Sequence, residues 1–334
     1  MTPTLFAGTS FLVALITSYF VTLKWIDAAK RRDLVGRDVN KPYTVYVPEA
    51  GGVGFVMGFS MGALASVALG TFLVDRSSWC LYVLAALNTV LMAAFIGFID
   101  DVLGWKKGLS HRAKVLSTLP IAIPLMAIKA GVSVMCLPLI GCLNLGILYP
   151  LLIVPVGVVG ATNAFNMIAG LNGLEAGMAL IILSTLGVLA YTHGNLAALI
   201  ISISAVGAAL GFLKLNWYPA RVFPGDVLTY SVGSVIATVA VVGNMEGPAL
   251  ILFLPYFLEL ALYLYGKKNG VEKESWGRPV GECLEVPYDK PYSVTHLAMK
   301  ALKALKGCAK EKEVVELILL VEAALAVIVL YLYS

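Results

Sequence analysis

Apolar residues run along this chain in long blocks, and polar residues gather between them. Ten stretches are each close to the ~20 residues that an α-helix needs to cross a bilayer. They cover 4–23, 52–74, 79–99, 115–133, 147–165, 174–192, 195–213, 228–243, 247–265 and 314–333. No fixed-period repeat and no low-complexity tract interrupts them. The first stretch lacks a basic run ahead of it, and its positive charge follows at Lys24, Lys30, Arg31 and Arg32. It is therefore expected to be a membrane helix rather than a cleaved signal. The segment 132–146, rich in Leu and β-branched residues, predicts a short hairpin.

Composition agrees. Of 334 residues, 59% are hydrophobic and 13% charged, against about 45–50% and about 25% in soluble domains. Mean hydropathy is +0.87. These values exclude a disordered chain, a nucleic-acid binder and an ordinary cytosolic enzyme. The expected fold is an all-α polytopic integral membrane protein of about ten transmembrane helices, one domain over 1–334. Charge then orients it. Counting gaps between stretches, odd gaps hold 22 of the 24 basic residues, and even gaps hold only Arg76 and Lys129. By the positive-inside rule the odd gaps are cytoplasmic and both termini lie outside. The five cysteines show neither metal nor disulfide spacing and are expected to be structural.

Acids cluster on that same side although the rule does not require it. Asp100 and Asp101 end the third stretch. Neighbours on a helix point about 100° apart, so the two carboxylates serve different partners. Lys114 begins the fourth stretch, and a cation opposite carboxylates at a membrane surface suits a phosphate-bearing substrate. Asn163 and Asn166 share a helix face, and Asn172 follows between Gly170 and Gly173, where the helix must break. Amides ligate metals or read base edges. Asp226 follows a Pro-Gly turn, where it either caps the next helix or holds magnesium, which takes one or two carboxylates plus substrate phosphates. Glu259 lies inside the ninth stretch and is expected to pair with a polar group of the bundle. There is no P-loop, GxGxxG or HExxH.

Together these residues resemble the polyprenyl-phosphate N-acetylhexosamine-1-phosphate transferases. The resemblance rests on Lys41 through Pro48-Glu49-Ala50-Gly51-Gly52, Phe98-Ile99-Asp100-Asp101 with Lys114, Asn163 to Glu175, and Gly225-Asp226, in the family's order. Bacterial members typically read Asp-Gly-Leu-Asp-Gly in the third block. This chain reads Ala169-Gly170-Leu171-Asn172-Gly173 with Glu175 following, which is similar to the eukaryotic and archaeal dolichyl-phosphate branch. The resemblance implies an active site on the cytoplasmic face, with UDP-N-acetylglucosamine as donor and a dolichyl or polyprenyl phosphate as acceptor. It implies Mg²⁺, or Mn²⁺, on Asn166 and Asp226. Asp100, Asp101 and Lys114 become the catalytic set. Glu49, Asn163, Asn172, Glu175, Arg278 and His296 become substrate-binding residues. Asn172 would read the uracil edge, and segment 266–313 would be the sugar-recognition loop. A multi-pass cell membrane protein is expected, in an archaeal plasma membrane or, for a eukaryote, the endoplasmic reticulum. Its partners are membrane lipid and no nucleic acid, and a homodimer is one option for its assembly. The nearest alternative is a related transferase using another UDP-N-acetylhexosamine or a bacterial-type lipid carrier; a transporter or flippase and a CDP-alcohol-type transferase are the rival readings of other kinds. A transporter places its polar sites near the midplane, whereas these cluster at one face.

Overall fold

The computed structural model describes residues 3–73, 78–103, 111–137 and 141–334. Arg76, Lys106 and Lys107 of the charge pattern lie outside the described residues. The helices are α1 (Pro3–Arg31), α2 (Gly52–Leu73), α3 (Trp79–Leu103), α4 (His111–Thr118), α5 (Ile123–Ala127), α6 (Val154–Phe165) and α7 (Leu174–Thr192). They continue with α8 (Leu196–Asn216), α9 (Gly225–Gly243), α10 (Glu246–Leu252), α11 (Leu254–Lys268), α12 (Val294–Lys306) and α13 (Glu311–Tyr333). Seven of these (α1, α2, α3, α7, α8, α9 and α13) are long and apolar enough to cross a membrane, and α10 with α11 form an eighth, bent by 54°. The fold is that of a mostly helical polytopic membrane protein.

Prolines account for the expected stretches that are not single straight helices. A proline removes one helical N–H, and its ring clashes with the preceding turn. Pro120 sits in a 3₁₀ turn, Leu119–Ala122, that splits the fourth stretch into α4 and α5. Pro150 lies in a π turn, Tyr149–Ile153, that leads into α6. Pro255 follows the break at Phe253 between α10 and α11. The fourth and fifth stretches therefore hold only shorter apolar helical runs, Ala113–Ala127 and Tyr149–Phe165. Both still connect the two ends of the bundle. Lys114 meets Asp226 at one end, while Gly131 packs on Tyr149 and Val241 at the other. Tyr149 bonds Glu246 at that far end, and Asn166 meets Thr229 at the near one.

The near end gathers the segments between α1 and α2, α6 and α7, α8 and α9, and α11 and α13, with the end of α3 and the start of α4. The far end holds Asn195 bonded to the Val242 carbonyl at 2.9 Å and His193 on the Tyr333 carbonyl at 3.1 Å. Three small antiparallel ladders depart from an all-α fold: β1 (Val35–Arg37) with β2 (Tyr46–Pro48), β3 (Val134–Leu137) with β4 (Gly141–Asn144), and β5 (Arg278–Val280) with β6 (Cys283–Glu285). The second is the expected hairpin. The cysteines also depart from expectation. Cys136–Cys142 and Cys283–Cys308 are disulfides. The first pair sits directly opposite across β3 and β4, a register that spacing alone does not reveal. Glu259 is fully buried and paired, with Lys273, Ser293 and the Val294 N–H, although a partner within the bundle was expected. All three come from the segment after α11 rather than from a membrane helix.

Candidate active site

The site is built where α9 begins. Phe223, Pro224 and Gly225 form a tight turn, and Gly225 has φ +68°, a backbone state that glycine adopts freely. The backbone of Pro48–Gly52 clamps this turn. Gly51 N–H donates to the Phe223 carbonyl (2.8 Å), Gly52 N–H to the Pro224 carbonyl (2.9 Å) and Phe223 N–H to the Pro48 carbonyl (2.7 Å). Helix α3 then comes in at Gly97, where a Cβ would run into the backbone carbonyl of Asp226. That approach brings the next turn of α3 to the start of α9. Asp101 accepts from the N–H groups of Asp226 (2.7 Å) and Val227 (3.1 Å). An acid from another helix thus caps α9, at the end where its dipole favours negative charge. Asp226 itself is left to project. Lys114 Nζ lies 2.6 Å from Asp100 Oδ2 and 2.6 Å from Asp226 Oδ2. The two adjacent aspartates do serve different partners.

Beside this cluster opens a cleft of about 700 Å³. Glu49, Asp101, Asn166, Asn172, Glu175 and Asp226 all line it. Asn166 Oδ1 accepts from Thr229 Oγ1 at 3.0 Å, which fixes the amide oxygen toward α9. Burial pushes the Glu49 carboxyl up from its ordinary range. The loop carrying Asn172 turns at Gly170 and Gly173, both at positive φ, as the sequence required.

Residues 83–244 match the model of glycosyl transferase family 4. A protein of Saccharolobus solfataricus, provisionally named a UDP-N-acetylglucosamine–dolichyl-phosphate N-acetylglucosaminephosphotransferase, is 35% identical over 97% of this chain and 95% of its own. The chain belongs to glycosyl transferase family 4. Its similarity extends to a phospho-N-acetylmuramoyl-pentapeptide-transferase of Streptococcus pyogenes (32% identical, 75% of each chain). It extends also to a UDP-N-acetylglucosamine–dolichyl-phosphate N-acetylglucosaminephosphotransferase of Schizosaccharomyces pombe (27% identical, 70% of this chain and 60% of the other).

The family 4 match spans Asp100, Asp101, Lys114, the asparagine block and Asp226, but not the Pro48–Gly52 clamp or the segment after α11. The cleft itself draws on both kinds of region. Asp100 and Lys114 stand behind its lining, in contact with Asp226. Asn163 is farther back, where its amide donates to Thr118 Oγ1 (3.0 Å) and ties α6 to α4. Asn172 is almost fully buried. Its amide donates to Asp38 Oδ2 (3.1 Å) and to Glu311, its backbone N–H donates to Glu311 Oε1 (2.9 Å), and its Oδ1 accepts from Ala220 N–H (2.7 Å). A uracil edge would need amide hydrogens that are here engaged by Asp38 and Glu311. Glu175 Oε1 accepts from Gly170 N–H at 2.8 Å and holds the same loop.

Arg278 is exposed on β5, and His296 is fully buried in α12. Neither is among the residues lining the cleft. His296 Nδ1 accepts from Tyr292 N–H at 3.2 Å. Burial, with Lys273 and Lys300 nearby, lowers its pKa to about 4, so it is a neutral core residue at physiological pH. Trp276 is the part of that segment that reaches the cleft.

Asp38 and Asn40 carried no separate signal in the sequence, and Lys41 entered only as the start of the Lys41–Gly52 block. Asp38, Asn40 and Lys41 fall in one short polar run, Gly36-Arg37-Asp38-Val39-Asn40-Lys41. Asn40 donates to the Gly170 carbonyl (2.8 Å) and accepts from Gly277 N–H (3.1 Å). Lys41 pairs with Glu311 and with Asp38 at 3.2 Å. Burial works against its charge, but Glu311 and Asp38 outweigh it and hold the pKa above the ordinary value.

Among the described residues no three His, Cys, Asp or Glu groups form a ready metal cage. Magnesium needs no such cage, since it keeps water and substrate phosphate as ligands. Among the residues that line the cleft, Asp226 with its carboxylate and Asn166 with its amide oxygen offer hard oxygen ligands of the right kind. Asp101, with both oxygens on backbone N–H groups, is a poorer candidate.

Proposed function

We propose that this family 4 protein transfers N-acetylglucosamine 1-phosphate from UDP-N-acetylglucosamine to a dolichyl or polyprenyl phosphate. An oxygen of the lipid phosphate attacks the β-phosphorus of the donor. The bond from that phosphorus to the bridging oxygen breaks, and UMP leaves. The lipid phosphate has a second pKa near ~6, so it arrives largely as a dianion and needs no strong base. The task is to hold two repelling phosphates in line and to neutralise charge as it builds.

One observation carries this reading: the lysine between two carboxylates, beside a cleft lined by further carboxylates and by Asn166. Lys114 supplies fixed positive charge to the donor phosphates. Asp226 and Asn166 would hold the magnesium ion, whose chemistry is to neutralise pyrophosphate charge and favour the leaving group. Asp100 holds Lys114 and orients the lipid phosphate or takes its residual proton. Asp101 positions Asp226 through the helix start. Glu49 and Glu175 flank the nucleotide end of the cleft. Asn163 and Asn172 hold the asparagine loop in register, and Trp276 faces the sugar. Arg278 and His296 support that segment from outside the cleft.

The membrane arrangement belongs to the same proposal. All of 1–334 acts as one domain with ten crossings, both termini outside, and the cleft facing the cytoplasm of an archaeal cell. The 22 basic residues that the sequence gathers in the odd gaps support it. The test uses purified protein in detergent with polyprenyl phosphate, UDP-N-acetylglucosamine and magnesium. UMP release that EDTA abolishes, with a lipid-linked N-acetylglucosamine pyrophosphate product, is the expected result. Equal rates with the CDP- and ADP-sugars would overturn the uracil preference. No UMP from any UDP-hexosamine would overturn the reaction.

A further inference from the structure

On the wall of the bundle, away from the Lys114 cluster, α1 and α8 enclose an apolar groove of about 500 Å³. That volume lies within the usual range of ligand pockets, about 300–1,000 Å³. Its cause is local. At Gly207 and Gly211 a Cβ would run into the carbonyls of Phe11 and Leu15, so the two helices touch backbone to backbone there. The side chains on either side then stand proud as walls: Leu15 and Tyr19 from α1, and Leu210 and Leu213 from α8. At the cytoplasmic end the groove closes with Lys214 and Trp217.

Lys214 is exposed, with its ammonium 5.0 Å from the Tyr19 ring centroid. It forms no ion pair among the described residues. Two residues on, Asn216 lines the catalytic cleft. Lys214 therefore sits at the level of the cytoplasmic membrane surface, flanked by Tyr19 and Trp217, where aromatic rings and snorkelling lysines meet headgroups.

We propose that this groove is a binding site for one anionic phospholipid, its chain against Leu15, Leu210 and Leu213 and its headgroup phosphate on Lys214. The charge selects this occupant. A second copy of the chain seated symmetrically over the groove would bring two lysines together, and the groove lining holds no acid to separate them. A zwitterionic lipid places its own cation beside the same ammonium. A phosphate diester with no cation of its own completes the charge.

The experiment reconstitutes the full chain in phosphatidylcholine nanodiscs doped at equal mole fraction with brominated phosphatidylglycerol or brominated phosphatidylcholine. Tryptophan quenching is read, with Trp217→Phe identifying the groove's share. Stronger quenching by the phosphatidylglycerol is expected. Its apparent affinity should fall about fivefold, the order of one lysine at a charged surface, in Lys214→Gln and recover in Lys214→Arg. Lys214 is exposed and engaged by no carboxylate among the described residues, so its replacement leaves the fold intact; a melting curve checks this. Equal quenching by both lipids, or an excess that Lys214→Gln leaves unchanged, overturns the proposal. So does displacement by undecaprenyl phosphate but not by unlabelled phosphatidylglycerol, which would make the groove an acceptor site. Disulfide cross-linking of Leu210→Cys into a dimer would instead assign the groove to a second copy.

Discussion

Two lysine–carboxylate clusters lie at the same end of this molecule, and they differ in what surrounds them. Lys41 with Asp38 and Glu311 is shut in: their side chains are 6%, 3% and 4% exposed. Lys114 with Asp100 and Asp226 stays partly open, with Lys114 23% and Asp226 21% exposed. The first cluster binds Asn172 and, through it, the backbone of Ala220, so four segments are locked together. The second leaves Asp226 facing a cleft. Both clusters border the cleft, through Asp38 and Asp226; the proposed function gives the chemistry to the one whose lysine and cleft-lining carboxylate stay partly exposed.

The largest expected effect is on turnover. Asp226→Asn should lower the rate of UMP release by about 10²–10³-fold, the usual cost of losing one electrostatic group from a preorganised site. Near-normal magnesium-dependent turnover would remove its role as a ligand. Next comes stability. Lys41→Met leaves Glu311 and Asp38 buried without their cation, and such losses cost about 3–5 kcal/mol. Its melting temperature in detergent should fall clearly, and Lys41→Met combined with Glu311→Leu should recover part of the loss. An unchanged melting temperature for Lys41→Met would mean that the cluster does not hold the loops.

A smaller effect separates Asn172 from a reader of the base. If Asn172 is a clasp, Asn172→Ala lowers stability and slows UDP- and CDP-sugars alike. A selective loss of discrimination between the two would restore its contact with uracil. The smallest effect is a pH slope. The His296 imidazole takes its proton at about 4 in the folded chain, against about 6.5 when unfolded. The unfolded chain binds that proton first, so stability is constant above about pH 6.5 and is lost as pH falls toward 4. His296→Gln should flatten that slope. A slope identical in both proteins would mean that other groups produce it.

Much of this was legible in the sequence. Apolar length marks the membrane helices, and the one-sided charge marks the end that carries the site. Asp100, Asp101, Lys114, Asn166 and Asp226 stood out because polar groups abutting apolar spans are expensive. What could not be read depends on contacts between distant segments. Asp101 caps α9, a helix that begins 124 residues later, although a local reading offers Asp226 as its own cap. Asn172 looks free in sequence because Asp38, Glu311 and Ala220 are all far along the chain. Arg278 and His296 sit in a segment whose fold is set by β5, β6, α12 and the Cys283–Cys308 disulfide, so position in the chain did not predict distance from the cleft. The apolar pattern read the fourth, fifth and ninth stretches as single helices; the breaks at their prolines came from the structure.

The most direct test of the central claim sets Lys114→Met beside Lys41→Met in one detergent, with UMP release and melting temperature measured on both. Lys114→Met should lose at least about a hundredfold in turnover with the smaller fall in melting temperature. Lys41→Met should show the larger fall, while the fraction still folded keeps most of its turnover. The opposite pattern, with Lys114→Met active but unstable, would contradict the assignment of chemistry to the open cluster.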